Sequence, residues 1–465
     1  PGALALLGLA AYADEAPAVT TSHSTLLYAT ETASEDGEIE TLASHKVASA
    51  GARFTWKIDD LPAGDYLVFV QYALDSGSVR VDVGAGRSDL SARLYVTPRV
   101  YPATGEWYQR SFAREQLPGI LEVPRGSTGE AELSLRIAPT SSGNPVALRA
   151  LELLPSAATG DADAEIMRAG AARPDTGWFA ELGYGLMFHW TSQAAPRSGP
   201  VADYAAAVDA FDVSRFVGMV ASTGADYVIF TTNHAEPHFP APLAGWEKTH
   251  PGRTTERDLI RELADGLSDH GIVLMLYFAT HIYADLENAG KEQFVDANVR
   301  LLTEVGERYG DDVAGYWLDG WYQAAEKYGD LPYERVYRAA KSGNPDRLLA
   351  LNSWIYPLVS PWQDYWAGEV YSVPVAPSAR IVESGPGAGL QYHALLALEG
   401  GWVHTERDTA IPAPVLETGD LLAFIDAASG KGPVTLNVLV YQDGSIGDAS
   451  MRVLETIREH RDRME

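Results

Sequence analysis

The chain of 465 residues contains no cysteine. A disulfide framework, a thiolate metal site and a cysteine nucleophile are therefore excluded. Basic residues are also scarce, because 35 Lys and Arg stand against 63 Asp and Glu and give a formal net charge of −28. Such a charge repels phosphate backbones and anionic membrane surfaces. Nucleic acid is thus a poor candidate for a partner, whereas a neutral sugar meets no such objection.

Long apolar runs are missing as well. The run at residues 3–10 is short and precedes Ala11-Tyr12-Ala13, a small-residue cleavage pattern. We interpret residues 1–21 as the remnant of a signal peptide and leader, which predicts a secreted or periplasmic protein; a loosely packed N-terminal helix is the alternative. No later stretch approaches the roughly 20 apolar residues that span a bilayer, so the sequence predicts no membrane insertion.

The length predicts two domains, and the pattern between residues 22 and 155 is that of the first. Short segments such as 53–58 and 66–72 alternate polar and apolar side chains, and Gly, Pro, Asp and Ser separate them. This pattern predicts an all-β jelly-roll or sandwich domain. Residues 61–66 resemble a turn and strand of carbohydrate-binding modules, so sugar binding and a purely structural role both stay open.

Residues 156–172, rich in Ala, Asp and Gly, predict a linker or a short helix. From residue 173 to 465 apolar strand-like runs alternate with amphipathic helical stretches, which predicts a (β/α)8-type barrel. The eight predicted strands are 184–188, 227–230, 272–277, 313–318, 348–351, 365–371, one between 390 and 403, and 434–440.

Side chains able to bind or cleave a ligand follow these predicted strands, where a barrel enzyme builds its active site. Two are acids: Asp319 sits between aromatic residues, and Glu369 follows Tyr365 and Trp366, which predicts a raised pKa for Glu369. Any one of these residues could be a structural polar group, and Asp319 could merely cap the next helix. The others are His189, Trp190, His234, His238, Tyr277, Asn352 and Trp402.

Two carboxylates among aromatic and neutral hydrogen-bonding side chains suit a sugar, whose ring face stacks on an aromatic ring while His and Asn bind its hydroxyls. Glycoside cleavage needs one carboxylate at the oxocarbenium-like centre and one carboxylic acid to protonate the leaving oxygen. Asp319 and Glu369 fit these two roles. This chemistry requires neither a metal nor a cofactor.

The sequence from 173 to 465 resembles the α-L-fucosidases of glycoside hydrolase family 29. The stretch 182–190 is similar to the family's FGIFIHWG motif, 224–234 to its AGAKYVVLTxKHH motif, and 257–263 to its RDLVxEL helix. Residues 316–320 look like its nucleophile strand, and 364–369 like the segment that ends in its acid/base glutamate. These motifs occur in the family's order.

The resemblance implies a retaining exo-glycosidase of α-L-fucosidase type, with Asp319 as nucleophile and Glu369 as general acid/base. It also implies that His189, Trp190, His234 and Tyr277 contact the sugar and that Trp317 forms a wall of its site. Three departures bear on which sugar is bound. The family's His-Trp-Gly is His189-Trp190-Thr191 here. The family's Lys-His-His-Asp is Asn233-His234-Ala235-Glu236 here, so its second histidine is lost unless His238 replaces it. Asn352-Ser353-Trp354 stands where the family has Asn-Asp-Arg.

Three alternatives stay open at this point. The same mechanism could act on another sugar, such as an α-L-galactoside, or the barrel could be a non-catalytic carbohydrate-binding protein with a decayed site. A metal-dependent hydrolase could use His189, His234, His238 and a carboxylate, although the His-x-His that opens such sites is absent after the first predicted strand. The linkage, the sugar and the oligomeric state are not fixed by the sequence.

Overall fold

The computed structural model describes residues 19–42, 44–97, 111–124, 130–138, 145–370, 372–383 and 387–464. The signal-peptide interpretation falls almost wholly on residues 1–18, which lie outside the described residues, as does Tyr371 at the end of the sixth predicted strand. Within the described part of the chain, no helix is both long enough and apolar enough to cross a membrane.

The first part of the chain is β-rich, as predicted, and its described strands form two antiparallel sheets. Alternation explains the pairing: in one central strand Leu133, Leu135 and Ile137 are fully buried, while Glu132 and Arg136 are exposed. The strands are β1 (Thr25–Tyr28), β2 (Ser34–Asp36), β3 (Ile39–Thr41), β4 (Lys46–Ala48), β5 (Arg53–Asp59), β6 (Gly64–Leu74), β7 (Ser78–Ala85), β8 (Ser88–Tyr95), β9 (Ala113–Gln116), β10 (Leu121–Val123), β11 (Glu130–Ile137) and β12 (Val146–Pro155).

The two sheets pack face to face over an apolar core. One sheet has the order β10-β6-β12-β4-β3, with β1 also paired to β12 and β9 to β6, and the other has the order β2-β5-β11-β7-β8. Phe54, Trp56, Val68 and Leu151 are among the buried side chains between them. This arrangement is the sandwich that period-two alternation predicts.

Strand β12 is buried on both faces. Its outer face carries two charged side chains, Arg149 at 2% and Glu152 at 0% exposure. Arg114 binds Glu152 with two hydrogen bonds of 2.7 and 2.8 Å, so this charge is paired as burial requires. The chain that follows, including the barrel, covers this face.

The second part of the chain is a (β/α)8-type barrel of eight parallel strands, which confirms the predicted fold class. The strands are β13 (Tyr184–Phe188), β14 (Tyr227–Asn233), β15 (Val273–Ala279), β16 (Gly315–Asp319), β17 (Leu348–Leu351), β18 (Glu369–Val370), β19 (Ala394–Ala397) and β20 (Val434–Asn437). Their order in the sheet is β17-β16-β15-β14-β13-β20-β19-β18.

The ladder is interrupted between β17 and β18, where the backbone N–H of Asp364 donates instead to the carbonyl oxygen of Leu349 at 2.8 Å.

Helices cover the outside of the barrel, and the segment between the two parts is itself helical. The helices are α1 (Thr159–Ala172), α2 (Gly177–Glu181), α3 (Tyr204–Ala210), α4 (Val213–Ser222), α5 (Ala244–Thr249), α6 (Leu259–Ser268), α7 (Thr280–Tyr283), α8 (Lys291–Tyr309), α9 (Trp321–Tyr328), α10 (Tyr333–Ala340), α11 (Thr418–Ala428) and α12 (Asp448–Met464). Asp212 and Asp258 begin α4 and α6, because each carboxylate accepts a backbone N–H of the first turn.

Arg347, immediately before β17, joins the ends of two helices to the barrel. It is fully buried, and its guanidinium donates to five carbonyl oxygens, those of Gly306, Gly310, Val313, Ala340 and Ser342, at 2.6–3.2 Å. A guanidinium has five N–H donors in a fixed plane, so one side chain satisfies carbonyls that helix ends leave unpaired.

We predict that Arg347→Met lowers the free energy of unfolding by at least about 4 kcal/mol, because it leaves several buried carbonyl groups without donors. Urea unfolding of the full chain, followed by circular dichroism, measures the change. Arg338→Met, at an exposed arginine of α10, is the matched control and should change the value by less than about 1 kcal/mol. Equal effects of the two substitutions would contradict this role for Arg347.

Candidate active site

A cavity of about 230 Å³ opens at the C-terminal end of the barrel strands. It brings together eight of the ten predicted site residues and adds Tyr322 and Trp354, to which the sequence analysis gave no role. The lining residues are His189, His234, Tyr277, Trp317, Asp319, Tyr322, Asn352, Trp354, Glu369 and Trp402.

The alternation of side chains along the strands explains why these residues meet. Met187, Met275, Trp317 and Ala350 lie in the apolar cluster inside the barrel. The side chain two positions further along each strand points the same way, and those positions are His189, Tyr277, Asp319 and Asn352. Parallel strands end at the same edge of the barrel, so these polar side chains converge just above its apolar interior.

Three donors surround the Asp319 carboxylate. Tyr277 donates its hydroxyl to Oδ2 at 2.7 Å, and Oδ1 accepts the backbone N–H of Gly320 at 2.9 Å and Nδ2 of Asn352 at 3.0 Å. Gly320 has φ of +89°, and a Cβ there would lie 2.3 Å from Nδ1 of His281, so the turn after Asp319 requires glycine. The carboxylate is therefore held in one orientation.

These neighbours keep Asp319 ionised. Burial alone would raise the pKa of its carboxyl, but the nearby His281 and the hydrogen bonds from Tyr277 and Asn352 outweigh burial and hold the pKa below its usual range. An ionised, oriented carboxylate at the floor of a cavity has the properties of a nucleophile.

Asn352 connects the two acids. Its Nδ2 donates to Oδ1 of Asp319 at 3.0 Å and to Oε2 of Glu369 at 2.8 Å, while its Oδ1 accepts the backbone N–H of Trp354 at 2.8 Å. Because one nitrogen reaches both carboxyl groups, these two oxygens are no more than about 6 Å apart, which is closer than the ~6.5–9.5 Å of inverting glycosidases and suits the ~5–5.5 Å of retaining ones.

His189 is neutral and oriented. Burial, with a smaller contribution from His234, lowers the pKa of His189 to about 3. Its Nδ1 lies 2.7 Å from Oδ1 of Asn437, whose Nδ2 donates to the carbonyl oxygens of Gly401 and Trp402. Since Oδ1 of Asn437 is then an acceptor, Nδ1 of His189 carries the proton and Nε2 is an acceptor. Such a nitrogen can accept a hydrogen bond from a sugar hydroxyl.

His234 lies beside His189, with ring centroids 5.3 Å apart. Burial lowers the pKa of His234, and the nearby Asp319 carboxylate offsets part of that effect. The cavity therefore presents two histidines whose neutral form is favoured, next to a carboxylate whose ionised form is favoured. This combination suits neutral polar groups better than a second anion.

Aromatic rings form the walls of the cavity. Tyr277 and Trp317 are stacked with centroids 5.2 Å apart, and Trp317 donates its indole N–H to the carbonyl oxygen of Ala367 at 3.0 Å. Trp402 lies against His189, with ring centroids 5.4 Å apart. Fixed aromatic faces of this kind can stack on the apolar face of a sugar ring.

Trp190 does not line the cavity, although the family resemblance implied a sugar contact for it. It follows His189 directly, so its side chain leaves the strand on the opposite side. The ring packs against Phe211 and Phe230, and the indole N–H donates to the carbonyl oxygen of Gln442 at 2.9 Å. At 1% exposure, Trp190 is a core residue in this structure.

His238 is also placed away from the cavity lining. Its Nε2 lies 2.6 Å from Nη1 of Arg253 and 3.6 Å from Glu236, and its ring packs on Tyr204. These neighbours hold it in the loop after β14. His238 is therefore not among the residues that line the cavity.

Tyr322 and Trp354 line the cavity but were not among the ten predicted site residues. Tyr322 lies three residues after Asp319, in the first turn of α9, and Trp354 lies two residues after Asn352. The available signal was their position directly after two strand ends, because such loops surround a barrel active site.

The metal-hydrolase alternative lacks a ligand set in the described part of the chain, where no three His, Asp or Glu side chains are grouped to hold a metal ion. Of the three histidines considered, His238 stands apart beside Arg253. The geometry favours two-carboxylate chemistry at Asp319 and Glu369.

The family model for alpha-L-fucosidase matches residues 202–463, and no curated protein matches the chain.

Among solved structures, similar folds include an alpha-L-fucosidase of glycoside hydrolase family 29 from Bacteroides thetaiotaomicron (17% identity, 63% of this chain, 74% of that chain, TM-score 0.47). Another is alpha-L-fucosidase AlfC from Lactobacillus casei (15% identity, 62% of this chain, 99% of that chain, TM-score 0.44). A third is the endo-fucoidan hydrolase P5AFcnA of glycoside hydrolase family 107 (13% identity, 61% of this chain, 92% of that chain, TM-score 0.47).

We predict that Tyr277→Phe raises the pKa of Asp319 by roughly one pH unit, because it removes one hydrogen bond to the ionised carboxylate and keeps the stacked ring. Carboxyl ¹³C NMR titration measures the pKa. Tyr328→Phe, whose hydroxyl donates to the carbonyl oxygen of Ala289, is the control and should leave it unchanged. An unaltered titration of Asp319 in Tyr277→Phe would contradict the assigned contact.

Proposed function

The chain belongs to the alpha-L-fucosidase family and is a glycoside hydrolase; on that premise we propose that it is a retaining exo-α-L-fucosidase that acts by double displacement. Asp319 is the nucleophile and Glu369 is the general acid/base. The observation that carries the proposal is the single amide nitrogen of Asn352 that bonds both carboxyl groups. It supports a separation suited to covalent catalysis.

In the first step an oxygen of Asp319 attacks the anomeric carbon, and the bond from that carbon to the leaving oxygen breaks. Glu369 gives its proton to the leaving oxygen, so the aglycone departs as an alcohol. In the second step water attacks the same carbon, Glu369 takes a proton from the water, and the bond to Asp319 breaks. The sugar leaves with its original anomeric configuration and both acids return to their starting forms.

An exo-acting enzyme needs a site that encloses one terminal sugar. The cavity of about 230 Å³ is smaller than the roughly 300–1,000 Å³ of sites for drug-sized ligands, which suits a single pyranose. Buried His189 and Tyr277 at its floor supply hydroxyl contacts, and Trp317 supplies an apolar wall beside them. The substrate class we propose is therefore a glycan that ends in an α-linked L-sugar.

The identity of that sugar is the finer part of the proposal. Family membership favours L-fucose. His238 lies beside Arg253 and does not line the cavity, which is a reason to test α-L-galactosides as well. A hydrogen-bonding group that meets no partner changes sugar preference strongly. A secreted or periplasmic location, suggested by residues 3–13, completes the proposal.

We predict that the full chain hydrolyses 4-nitrophenyl α-L-fucoside and releases the α-anomer first. ¹H NMR during the first minutes of reaction identifies the anomer before mutarotation. The matching α-L-galactoside and β-D-galactoside serve as comparison substrates. A faster reaction with the α-L-galactoside would mean that the same mechanism acts on another sugar. The β-anomer as the first product would contradict retention. Inactivity on all three substrates would contradict the proposal.

For the catalytic acids, we predict that Asp319→Ala loses at least roughly 10⁴-fold in kcat. Glu369→Ala should keep activity on substrates with activated leaving groups and gain rate with azide, which replaces water without needing a general base. Asp163→Ala, at an exposed aspartate of α1, is the control for removal of a carboxylate and should match the parent enzyme. Parent-like activity of Asp319→Ala would rule out this nucleophile.

A further inference from the structure

The cavity has a buried floor and a more exposed rim. His189 and Tyr277 on the floor are 3% and 1% exposed, whereas Tyr322 and Trp354 are half-buried. An exo-acting site holds the terminal sugar on the floor, so the group bonded to its anomeric oxygen extends toward the rim. The two rim rings, Tyr322 on α9 and Trp354 on the loop after β17, are half-buried like the two acids Asp319 and Glu369 and line the more exposed part of the cavity, toward which a leaving group extends.

The β-rich region touches both of the segments that carry these rings. Arg149 of β12 is 2% exposed. Its guanidinium carbon lies 3.4 Å from the ring centroid of Tyr356, and its Nη2 donates to the carbonyl oxygen of Tyr322 at 3.4 Å. One arginine thus contacts α9 and the loop after β17 together, through a cation–π contact and a hydrogen bond.

Three further contacts fix the same segments to the β-rich region. They are the backbone N–H of Phe112 to the carbonyl oxygen of Ile355 (2.7 Å), Nδ1 of His45 to the hydroxyl of Tyr356 (3.2 Å) and Oγ1 of Thr30 to Oε1 of Glu326 (3.3 Å). Burial and the charge of Arg149 lower the pKa of His45 to about 4, so Arg149 is the cation of this cluster at neutral pH.

Tyr356 packs against both rim rings, Tyr322 and Trp354. Its ring centroid lies 5.8 Å from that of Tyr322 and 5.5 Å from that of Trp354, and the latter two are 5.9 Å apart. Three mutually packed rings cannot shift independently. Fixing Tyr356 from the β-rich side therefore fixes the surface that Tyr322 and Trp354 present to the cavity.

The backbone at Trp354 shows why such support matters. Its φ is +52°, a left-handed conformation that non-glycine residues adopt rarely and keep where their surroundings hold it. Its N–H donates to Oδ1 of Asn352 at 2.8 Å, the residue that bonds both catalytic acids. The loop that carries Trp354 is thus hydrogen-bonded to Asn352 and, through it, to Asp319 and Glu369.

We propose that the β-rich region completes a leaving-group subsite, in which Tyr322 and Trp354 stack on the sugar to which the cleaved residue is attached and Arg149 acts as their positioning residue. This inference rests on the proposed glycosidase function and deepens it. The ligand is a neutral pyranose with an apolar face, because the rim offers ring faces. The role is separate from any sugar binding by the sandwich itself.

The test measures KM and kcat/KM of the Arg149→Met variant on two substrates. This substitution keeps the bulk of the side chain and removes its charge. α-L-fucosyl fluoride occupies only the floor, and an α-L-fucosyl disaccharide occupies floor and rim. A 2-fluoro-fucosyl fluoride titration gives the concentration of active sites, so loss of folded protein cancels. We expect KM for the disaccharide to rise roughly 10- to 100-fold, so that kcat/KM for the disaccharide falls by the same factor. The loss in kcat/KM for the fluoride should be at least tenfold smaller than the loss for the disaccharide.

Arg136→Met is the matched control, because Arg136 is exposed on β11 in the other sheet, and it should match the parent on both substrates. Equal losses of Arg149→Met on both substrates, or no loss on either, would overturn the inference. If the parent cleaves neither substrate, the proposed function fails by itself. The crystal structure of Arg149→Met then decides the inference, since Tyr322 and Trp354 rings in unchanged positions would refute it.

Discussion

The hydrogen bonds of one amide group, on Asn352, hold the active-site geometry together. Its nitrogen reaches Asp319 and Glu369, and its oxygen accepts the backbone N–H of Trp354. Both ends of the amide are therefore occupied, which fixes its orientation and with it the spacing of two acids that come from different strands. In the proposed mechanism, close spacing brings one acid to the anomeric carbon and the other to the leaving oxygen of the same glycosidic bond.

Burial then gives the groups around this amide different charge states. Asp319 is half-buried and receives three hydrogen bonds, so its pKa stays low, whereas burial of the His189 ring lowers the pKa of that histidine to about 3. One environment thus favours an anionic carboxylate beside neutral histidines. This distribution suits the binding of hydroxyl groups and attack on a carbon that becomes cationic.

The β-rich region and the barrel are joined through buried polar side chains. Arg149 reaches from β12 to Tyr356 and to the carbonyl oxygen of Tyr322, and the N–H of Phe112 binds the carbonyl oxygen of Ile355. A buried arginine loses its hydration, so it is stable only where rings and carbonyls replace the lost water. The sandwich is therefore packed against the loops that form the mouth of the cavity.

The sequence by itself determined the barrel, the β-rich region before it, and most of the residues that meet at the cavity. Apolar runs fix which segments become strands, and parallel strands end at one edge, so Asp319, Asn352 and Glu369 could be placed there from the chain alone. Only the tertiary structure decided the rest. Trp190 lies in the core and binds the carbonyl oxygen of Gln442, His238 is held beside Arg253, and Trp354 packs against Tyr322 at the rim. Those outcomes depend on contacts between residues far apart in sequence, which no local pattern encodes.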